Sequence, residues 1–453
     1  MAMLGALGRL LDRRVLAVLV AIVIVGAIVA TQVGKGNAGY GGQGGTHVAQ
    51  WLTVHYASMD NNLDEYGEWQ ADLNSLEKVG SSPDSVHVAL YDGLGPNNTV
   101  VQYVKQGGVD EYPPSVVDPT WGDELDLGNQ DTLYKFIVWA ATEYPAEKLC
   151  LVLNNHGGGW MGICWDDNPG TYLKPGDVAS ALRKVEVSLG HKVDVILTYA
   201  CLMASMEVAY ELRDSASYLV ASETYSWGSE THGEEYLIGN YPFDKIWGPV
   251  KDDPSIAPVD LGRHIVDAFQ TFGPYSMGGT YIQRDYSSDT VSLIDLSKAR
   301  DLALAVDRMG SELKDSLTGL GKVLGQRQLI DRVIGVQSEP ASMCTQAFSG
   351  EPDWVGKGVF VQYDLLDLVA QLEKCRAHPL CEKATLDAVK LAASAAILAE
   401  RHGTDASQGQ HVDAHGLSIW LPYRSTEYRP SYDTRAFAMD TSWDEFLRSI
   451  IWT

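Results

Sequence analysis

Two side chains that could act together as a nucleophile and its proton acceptor, His156 and Cys201, each follow a short apolar run. His156 follows the run at 149–154, and Cys201 follows the run at 193–199. Apolar runs of this length are typical of buried parallel strands, whose carboxyl ends meet at one edge of a sheet. An imidazole beside a thiol at that edge can generate the thiolate, the reactive form of cysteine. The spacing therefore predicts a site for nucleophilic catalysis.

Backbone groups beside these two residues could stabilise a developing negative charge. Three glycines follow His156 directly, and glycine lets a substrate approach the main chain closely. We expect the amides of Gly157 and Cys201 to form an oxyanion hole for a tetrahedral intermediate. A helix predicted at 203–213 would begin beside Cys201, and its N-terminal amides would favour the thiolate.

Strand and helix patterns alternate through the part of the chain that carries these residues. Apolar or alternating runs predict strands at 51–57, 86–92, 99–104, 149–154, 193–199 and 218–221. Helical spacing predicts helices at 66–79, 132–144, 177–189 and 203–213, with Asp131 as the N-cap of the second. This order predicts an α/β fold for residues 46–255, with a mainly parallel sheet and helices on both faces.

The C-terminal half of the chain has a more helical pattern. Helices are predicted at 259–269, 296–316, 365–374 and 380–402, the last of them long and rich in alanine. A late strand is predicted at 416–422. We therefore expect residues 256–453 to form a helical and mixed accessory region.

The N-terminal segment has the composition of a membrane anchor. Residues 1–14 carry three arginines, residues 15–33 are almost entirely apolar, and residues 34–45 form a glycine-rich linker. The apolar stretch approaches the roughly 20 residues that span a bilayer, and the preceding arginines place the following chain outside the cytoplasm. We expect a single-pass signal anchor at the cell membrane. The alternative is a cleaved signal peptide and a secreted protein.

Charge and cysteine content exclude several classes of partner. The chain has 59 acidic and 34 basic residues, a net charge of −25, and no basic cluster after residue 14. Binding to nucleic acid requires such clusters and is not expected. The six cysteines include no pair with CxxC spacing, so no metal site is predicted from them. Cys375 and Cys381 are close enough in sequence to form a disulfide in an oxidising compartment.

Four ordered motifs make the sequence similar to a known family. They are MDNNLD at 59–64, LCLVLNNHGGGW at 149–160, ACLMASMEVAYEL at 200–212 and YLVASE at 218–223. In this order and spacing they resemble the clostripain family of cysteine peptidases, relatives of gingipains, legumain, separase and caspases. The resemblance implies a caspase-like fold with His156 and Cys201 as the catalytic dyad. It also implies that the chain is an endopeptidase, which hydrolyses peptide or protein substrates through an acyl-enzyme.

The same resemblance bears on cofactors. Calcium is required by some members of the family, but no pattern in this chain predicts a calcium site. Asp166 and Asp167 could supply oxygen ligands to a cation, although we expect this pair to lie in a solvated loop. No cofactor is therefore predicted, and no pattern predicts an oligomeric state.

Substrate specificity is expected to differ from that of the basic-specific family members. Those members usually carry Asp two residues before the nucleophile, where this chain has Tyr199. A phenol offers a hydrogen bond and an aromatic wall rather than a counter-charge. Unless Glu223, Glu230 or Glu234 reaches the pocket, we expect weak cleavage after Arg or Lys and better cleavage after an uncharged residue.

Two other functions are compatible with parts of this pattern. The missing Asp leaves open a catalytically silent extracellular binding domain on the same scaffold. The HGGGW motif at 156–160 matches the oxyanion loop of some lipases, which would indicate a serine esterase. That fold also requires a Gly-x-Ser-x-Gly elbow, which this chain lacks, so a peptidase is the favoured function.

Overall fold

The computed structural model describes residues 47–224, 226, 231–232, 235–236, 241–269, 276–277, 280–281, 290–316, 361–374, 379–404, 411–422, 425 and 427–451. The predicted segments 1–14, 15–33 and 34–45 lie outside the described residues, as do Glu230, Glu234 and Cys375. Within the described part, no helix combines the length and the apolar character that crossing a bilayer requires. The membrane anchor and the disulfide stay predictions.

The described residues from Val48 onward form one compact unit of strands and helices. Its strands are β1 (Ala49–Ser58), β2 (Ser85–Asp92), β3 (Val100–Lys105), β4 (Gly108–Tyr112), β5 (Ala146–Asn154), β6 (Ile163–Asp166), β7 (Thr171–Leu173), β8 (Val193–Tyr199), β9 (Ala216–Ala221), β10 (Thr231–His232), β11 (Glu235–Tyr236), β12 (Ser276–Met277), β13 (Thr280–Tyr281), β14 (Val291–Asp295), β15 (Gln362–Asp364), β16 (Ile397–Arg401) and β17 (Ser418–Trp420). Its α-helices are α1 (Asn62–Glu65), α2 (Glu68–Val79), α3 (Gln130–Glu143), α4 (Pro175–Leu189), α5 (Met206–Leu212), α6 (Phe243–Asp252), α7 (Pro258–Ala268), α8 (Ala299–Ser316), α9 (Leu365–Glu373), α10 (Lys383–Ala396), α11 (Ala436–Asp440) and α12 (Trp443–Ile450). Short 3-10 helices occur at Pro114–Val116, Leu296–Lys298 and Pro430–Thr434.

Nine strands form the central sheet, in the order β16-β14-β9-β8-β5-β1-β2-β3-β4. The central strands β9, β8, β5, β1 and β2 run parallel to one another. The two strands at each edge pair antiparallel. This sheet confirms the predicted α/β fold, and it places the carboxyl ends of β5 and β8 side by side.

Helices cover both faces of the sheet, as the sequence predicted. On one face, Phe136 of α3 and Leu182 of α4 belong to the same buried cluster as Val54 of β1. On the other face, Trp69 of α2 and Trp247 of α6 belong to a second buried cluster. A sheet that is buried on both faces needs strands that are almost continuously apolar, which explains the short apolar runs.

The predicted helix at 380–402 is wrong over its C-terminal part. Helix α10 ends at Ala396, and Ile397–Arg401 forms strand β16. β16 pairs antiparallel with β14 at the edge of the central sheet. Helix propensity is a weak preference, and here the hydrogen bonds that an open sheet edge offers override it.

Two helices begin at residues other than those predicted. The N-cap of α3 is Asn129, whose side chain accepts a hydrogen bond from the N–H of Asp131, the residue predicted for that role. Helix α5 begins at Met206, because the Ser205 side chain caps it by accepting from the N–H of Val208 at 3.3 Å. Side chains that compete for backbone hydrogen bonds thus set both helix starts.

The C-terminal half shares its core with the N-terminal half. Strands β14 and β16 extend the central sheet beyond β9. Helices α8, α10 and α12 contribute to the same buried cluster as α3 and α4. The predicted boundary at residue 255 stays a prediction.

Candidate active site

His156 and Cys201 lie at neighbouring strand ends. In the parallel pair β5–β8, Asn154 lies opposite Tyr199. His156 comes two positions after Asn154, and Cys201 comes two positions after Tyr199. The N–H of Asn155 donates to the Tyr199 carbonyl at 3.3 Å, which continues the pairing toward the site. The structure therefore places the two predicted residues at the same edge of the sheet.

Gly157 packs directly against the backbone of Cys201. A Cβ atom at position 157 would lie 2.1 Å from the Cys201 carbonyl oxygen and 2.8 Å from its nitrogen. No side chain fits into that space, so the turn after His156 requires glycine at this position. The two amides predicted for the oxyanion hole thus belong to backbone segments that are in contact.

The imidazole of His156 is held by Asn62. Its Nε2 lies 2.8 Å from the Oδ1 of Asn62, the first residue of α1. An amide oxygen only accepts hydrogen bonds, so Nε2 carries the proton and Nδ1 keeps its lone pair. Burial lowers the pKa of His156 to about 4, so the ring is neutral at neutral pH.

No sequence pattern singles out Asn62 as a functional residue, although it lies within the MDNNLD motif. The signal that could have identified it is its position just after β1. Because β1 pairs with β5, polar residues after β1 arrive beside the turn that carries His156. This inference needs the order of strands in the sheet, which the sequence pattern does not provide.

Buried amides restrain the turn that carries His156. The side chain of Asn155 accepts from the Trp165 N–H at 2.7 Å and donates to the Trp165 carbonyl at 3.1 Å. The Asn61 side chain donates to the same carbonyl at 2.9 Å, and the Ser58 hydroxyl donates to it at 3.1 Å. These hydrogen bonds fasten the ends of β1 and β5 to β6.

Cys201 is half-buried in the turn between β8 and α5. The N–H of Ser226 donates to its sulfur at 3.4 Å. The next residue, Leu202, has a φ of 65°, and its N–H donates to the Thr224 carbonyl at 3.0 Å. The prediction that helical amides flank Cys201 is wrong, because α5 begins only at Met206 and a helix dipole acts within the first turn.

Tyr199 is buried within an aromatic cluster. Its ring packs edge-on against Tyr241, with 4.9 Å between centroids, and against Phe243 at 6.0 Å. Beside it on the sheet, the Asn154 side chain donates to the buried carboxylate of Asp72 at 2.6 Å. At the position where basic-specific peptidases carry Asp, this chain therefore has a tyrosine that packs among other aromatic rings.

Glu223, a predicted pocket residue, is engaged in another contact. One of its carboxylate oxygens accepts a hydrogen bond from the Gly416 N–H at 2.8 Å. Burial, and then the negative charge of Asp364, raises the pKa of Glu223 well above its ordinary value. The raised pKa makes this side chain a weaker source of negative charge for a basic substrate. Glu230 and Glu234 lie outside the described residues and stay predictions.

Comparison with known proteins decides the family. The model of the clostripain family matches residues 55–450. The chain belongs to the clostripain family. Clostripain of Hathewaya histolytica is 26% identical to it over 432 residues, which cover 84% of this chain and 76% of that protein. The chain is therefore a cysteine endopeptidase by family, and the serine esterase is set aside.

Solved structures share the fold of this clostripain-family chain. An inactive zymogen C11 protease from Parabacteroides distasonis aligns with a TM-score of 0.56 and 18% identity, over 89% of this chain and 99% of that chain. A secreted C11 cysteine protease from Bacteroides thetaiotaomicron, in complex with an irreversible peptide inhibitor, aligns with a TM-score of 0.56 and 16% identity. That alignment covers 88% of this chain and all of the other. These likenesses confirm the predicted caspase-like fold.

A cluster of buried carboxylates lies beside the site of this clostripain-family chain. It consists of Asp60, Asp92 and Asp166, each at most 2% exposed. The prediction of a solvated loop is wrong for Asp166, because this residue ends β6 with its carboxylate in the interior. Asp167, by contrast, is exposed. Oxygen atoms of such carboxylates are groups that can hold a hard cation.

Proposed function

We propose that this chain is an active endopeptidase in which Cys201 is the nucleophile and His156 the general base and acid. The observation that supports this most is the β5–β8 register, which brings both residues to one sheet edge. The imidazole is neutral, and its Nε2–H donates to Asn62, which makes Nδ1 the basic nitrogen of the ring. Nucleophilic catalysis by cysteine requires such a pair.

The reaction proceeds in two halves. In the first half, the Cys201 thiol gives its proton to Nδ1 of His156 while the sulfur attacks the peptide carbonyl carbon. The resulting oxyanion accepts hydrogen bonds from the amides of Gly157 and Cys201. The intermediate collapses to a thioester as His156 gives the proton to the leaving amine. In the second half, His156 takes a proton from water as that water attacks the thioester, and returns it to the sulfur as the acid leaves.

We infer that Asn62 is the positioning residue of this dyad. The hydrogen bond that its Oδ1 accepts from Nε2 sets both the tautomer and the orientation of the His156 ring. The adjacent residue, Asn61, caps α1 by accepting from the N–H of Leu63 at 3.0 Å. The cap fixes the start of the helix that carries Asn62, so the acceptor is held in place before substrate binds.

We propose that the enzyme prefers an uncharged residue before the scissile bond. Two described side chains support this preference: Tyr199 is part of an aromatic cluster, and Glu223 is held by the Gly416 amide. A buried guanidinium or ammonium without a counter-charge costs several kcal/mol. A hundredfold preference for such a residue needs about 3 kcal/mol of differential binding, which a phenol does not supply.

Thiol labelling and peptide cleavage together separate this enzyme from a catalytically silent binding domain. Iodoacetamide should label Cys201 faster than Cys150 and Cys164, since those two are buried and burial raises the pKa of both thiols. Cys201→Ala should abolish cleavage of a positional peptide library and keep the circular dichroism spectrum. Cys150→Ala is the matched control and should keep activity. Full activity of Cys201→Ala, or no cleavage of any peptide by the wild type, contradicts the proposal.

We also propose that the body of the chain acts outside the cytoplasm. Three arginines precede the apolar segment 15–33, and the relative from Bacteroides thetaiotaomicron is a secreted protease. Cell fractionation with N-terminal sequencing of the native protein tests this. A membrane-bound chain that retains the segment supports the anchor, and a soluble chain beginning after residue 30 supports secretion. A full-length chain in the cytoplasm contradicts both.

A further inference from the structure

The segment 222–224, which follows β9, is hydrogen-bonded to the turn after β8. The N–H of Leu202 donates to the Thr224 carbonyl at 3.0 Å. The N–H of Ala204 donates to the Ser222 carbonyl at 2.8 Å. Both donors lie just after the candidate nucleophile in the chain. The backbone that carries the nucleophile is therefore fastened to this segment.

The turn needs this support because its backbone conformation is unfavourable. Leu202, directly after Cys201, has a φ of 65°, which lies in the left-handed region. A residue other than glycine is strained there, because its Cβ atom crowds the following carbonyl oxygen. Such a conformation persists only where surrounding contacts hold it. The turn would therefore relax, and the thiol would move, if the segment 222–224 were released.

The buried hydroxyl of Thr290 holds the segment 222–224 in place. Its Oγ1 accepts from the N–H of Glu223 at 3.1 Å and from the N–H of Thr224 at 3.2 Å. The hydroxyl oxygens of Ser222 and Thr224 each lie 2.9 Å from the same atom. The Ser222 hydroxyl donates to the Thr224 carbonyl at 3.1 Å, so it accepts its hydrogen bond from Thr290. One side chain thus contacts every residue of the segment.

The register of the sheet explains why Thr290 reaches this segment. Strands β9 and β14 pair antiparallel, and Ser292 lies opposite Ala221 at the end of the ladder. Thr290 comes two residues before Ser292, and Glu223 comes two residues after Ala221, so the two meet just beyond the last pair. The buried amides of the segment need an acceptor at this point. The Thr290 hydroxyl supplies it where the backbone ladder ends.

We propose that Thr290 is a positioning residue for the nucleophile, an inference that rests on the proposed function of Cys201. Thr290 fixes the segment 222–224, and the segment holds Leu202 in its strained conformation. The same stretch of chain continues to Ser226, whose N–H donates to the Cys201 sulfur at 3.4 Å. A hydrogen bond donated to sulfur stabilises the thiolate. Thr290 therefore acts on both the position and the reactivity of the thiol.

Thr290→Val tests this role, because valine keeps the shape of the side chain and removes the hydroxyl. The rate of Cys201 alkylation by iodoacetamide is measured in the full-length chain by peptide mass spectrometry, as a function of pH. At about pH 7 this rate should fall about tenfold, the effect of losing one or two hydrogen bonds. Its pH profile should move to higher pH, because the thiolate loses a hydrogen bond. The value of kcat/KM should fall by a similar factor.

Two further variants separate positioning from a general loss of stability. Thr290→Ser keeps the hydroxyl and should restore both rates. Thr385→Val is the matched control, because Thr385 is also buried and its hydroxyl donates to Glu312 at 2.6 Å, in the helical part of the chain. This control should lower the melting temperature and leave both rates unchanged. If Thr290→Val does not fold, Ser222→Ala removes the acceptor of the Thr290 hydroxyl and should show the same shift at smaller size.

Three results would overturn the positioning role of Thr290. The first is an unchanged alkylation profile in the variant that folds. The second is a slow rate that Thr290→Ser does not restore, because the hydroxyl is then not the cause. The third is an equal slowing in Thr385→Val. If the wild type cleaves no peptide, the proposed function fails, and the alkylation rates of Cys201 still decide whether Thr290 positions the thiol.

Discussion

Replacing Asn62 with alanine should reduce catalysis strongly without unfolding the protein. The substitution removes the acceptor of the 2.8 Å hydrogen bond from Nε2 of His156. His156 becomes an imidazolium when it takes the proton of Cys201, and a hydrogen bond to a charged group contributes about 1.5–3 kcal/mol. Each 1.36 kcal/mol corresponds to about tenfold in rate, so kcat/KM should fall by about 10- to 160-fold.

Asn62→Asp separates the orientation of the ring from the loss of a contact. Aspartate keeps an acceptor and adds a negative charge, which favours the imidazolium of His156. The pKa of His156, which burial lowers to about 4, should therefore rise. Because protonation removes the general base, the acid limb of kcat/KM should lie near pH 4 in the wild type and at higher pH in this variant.

The assay is kcat/KM for a peptide substrate from about pH 4 to about pH 9, together with the rate of Cys201 alkylation. Asn129→Ala is the control, because the Asn129 side chain caps α3 rather than contacting His156. It should cost about 1 kcal/mol of stability and leave kcat/KM unchanged. Wild-type kcat/KM in Asn62→Ala, or an equal loss in Asn129→Ala, refutes the positioning role.

Three further substitutions test the site and its surroundings. Gly157→Ala should abolish cleavage, because its methyl group would meet the Cys201 carbonyl oxygen at 2.1 Å; a stable variant with normal kcat/KM would disprove the close packing. Tyr199→Asp supplies a counter-charge, so the preference for arginine before the scissile bond should increase at least tenfold in a positional library. An unchanged preference would show that this position does not line the pocket. Glu223→Gln should make stability less dependent on pH. The pKa of Glu223 in the folded chain is raised above its ordinary 4.5. The folded chain therefore keeps a proton that the unfolded chain releases. As a consequence, the stability of the wild type decreases as the pH rises above about 4.5. Urea unfolding at about pH 5 and about pH 8 should show a smaller decrease in the variant, and an equal decrease contradicts this assignment.

Local sequence pattern predicted the parallel strands of the sheet and the edge at which the two candidate catalytic residues lie. Short apolar runs that end in polar residues predicted the parallel strands, and β5 and β8 end at the same edge as expected. The glycines after His156 predicted a tight turn open to substrate, whereas the packing of Gly157 against Cys201 is seen only in the structure. The strands and their common edge could be predicted because strand type and burial depend on a few consecutive residues.

Tertiary structure alone decided the features that join distant segments. Ile397–Arg401 follows an alanine-rich helix and is a strand only because β14 offers an unpaired edge. Asn62 reaches His156 across 94 residues of chain because β1 and β5 are neighbours in the sheet. The carboxylates of Asp60, Asp92 and Asp166 converge for the same reason. Such contacts depend on which strands become neighbours in the sheet. The order of strands is determined by burial and hydrogen bonding summed over the whole sheet, and a short stretch of sequence does not contain that information.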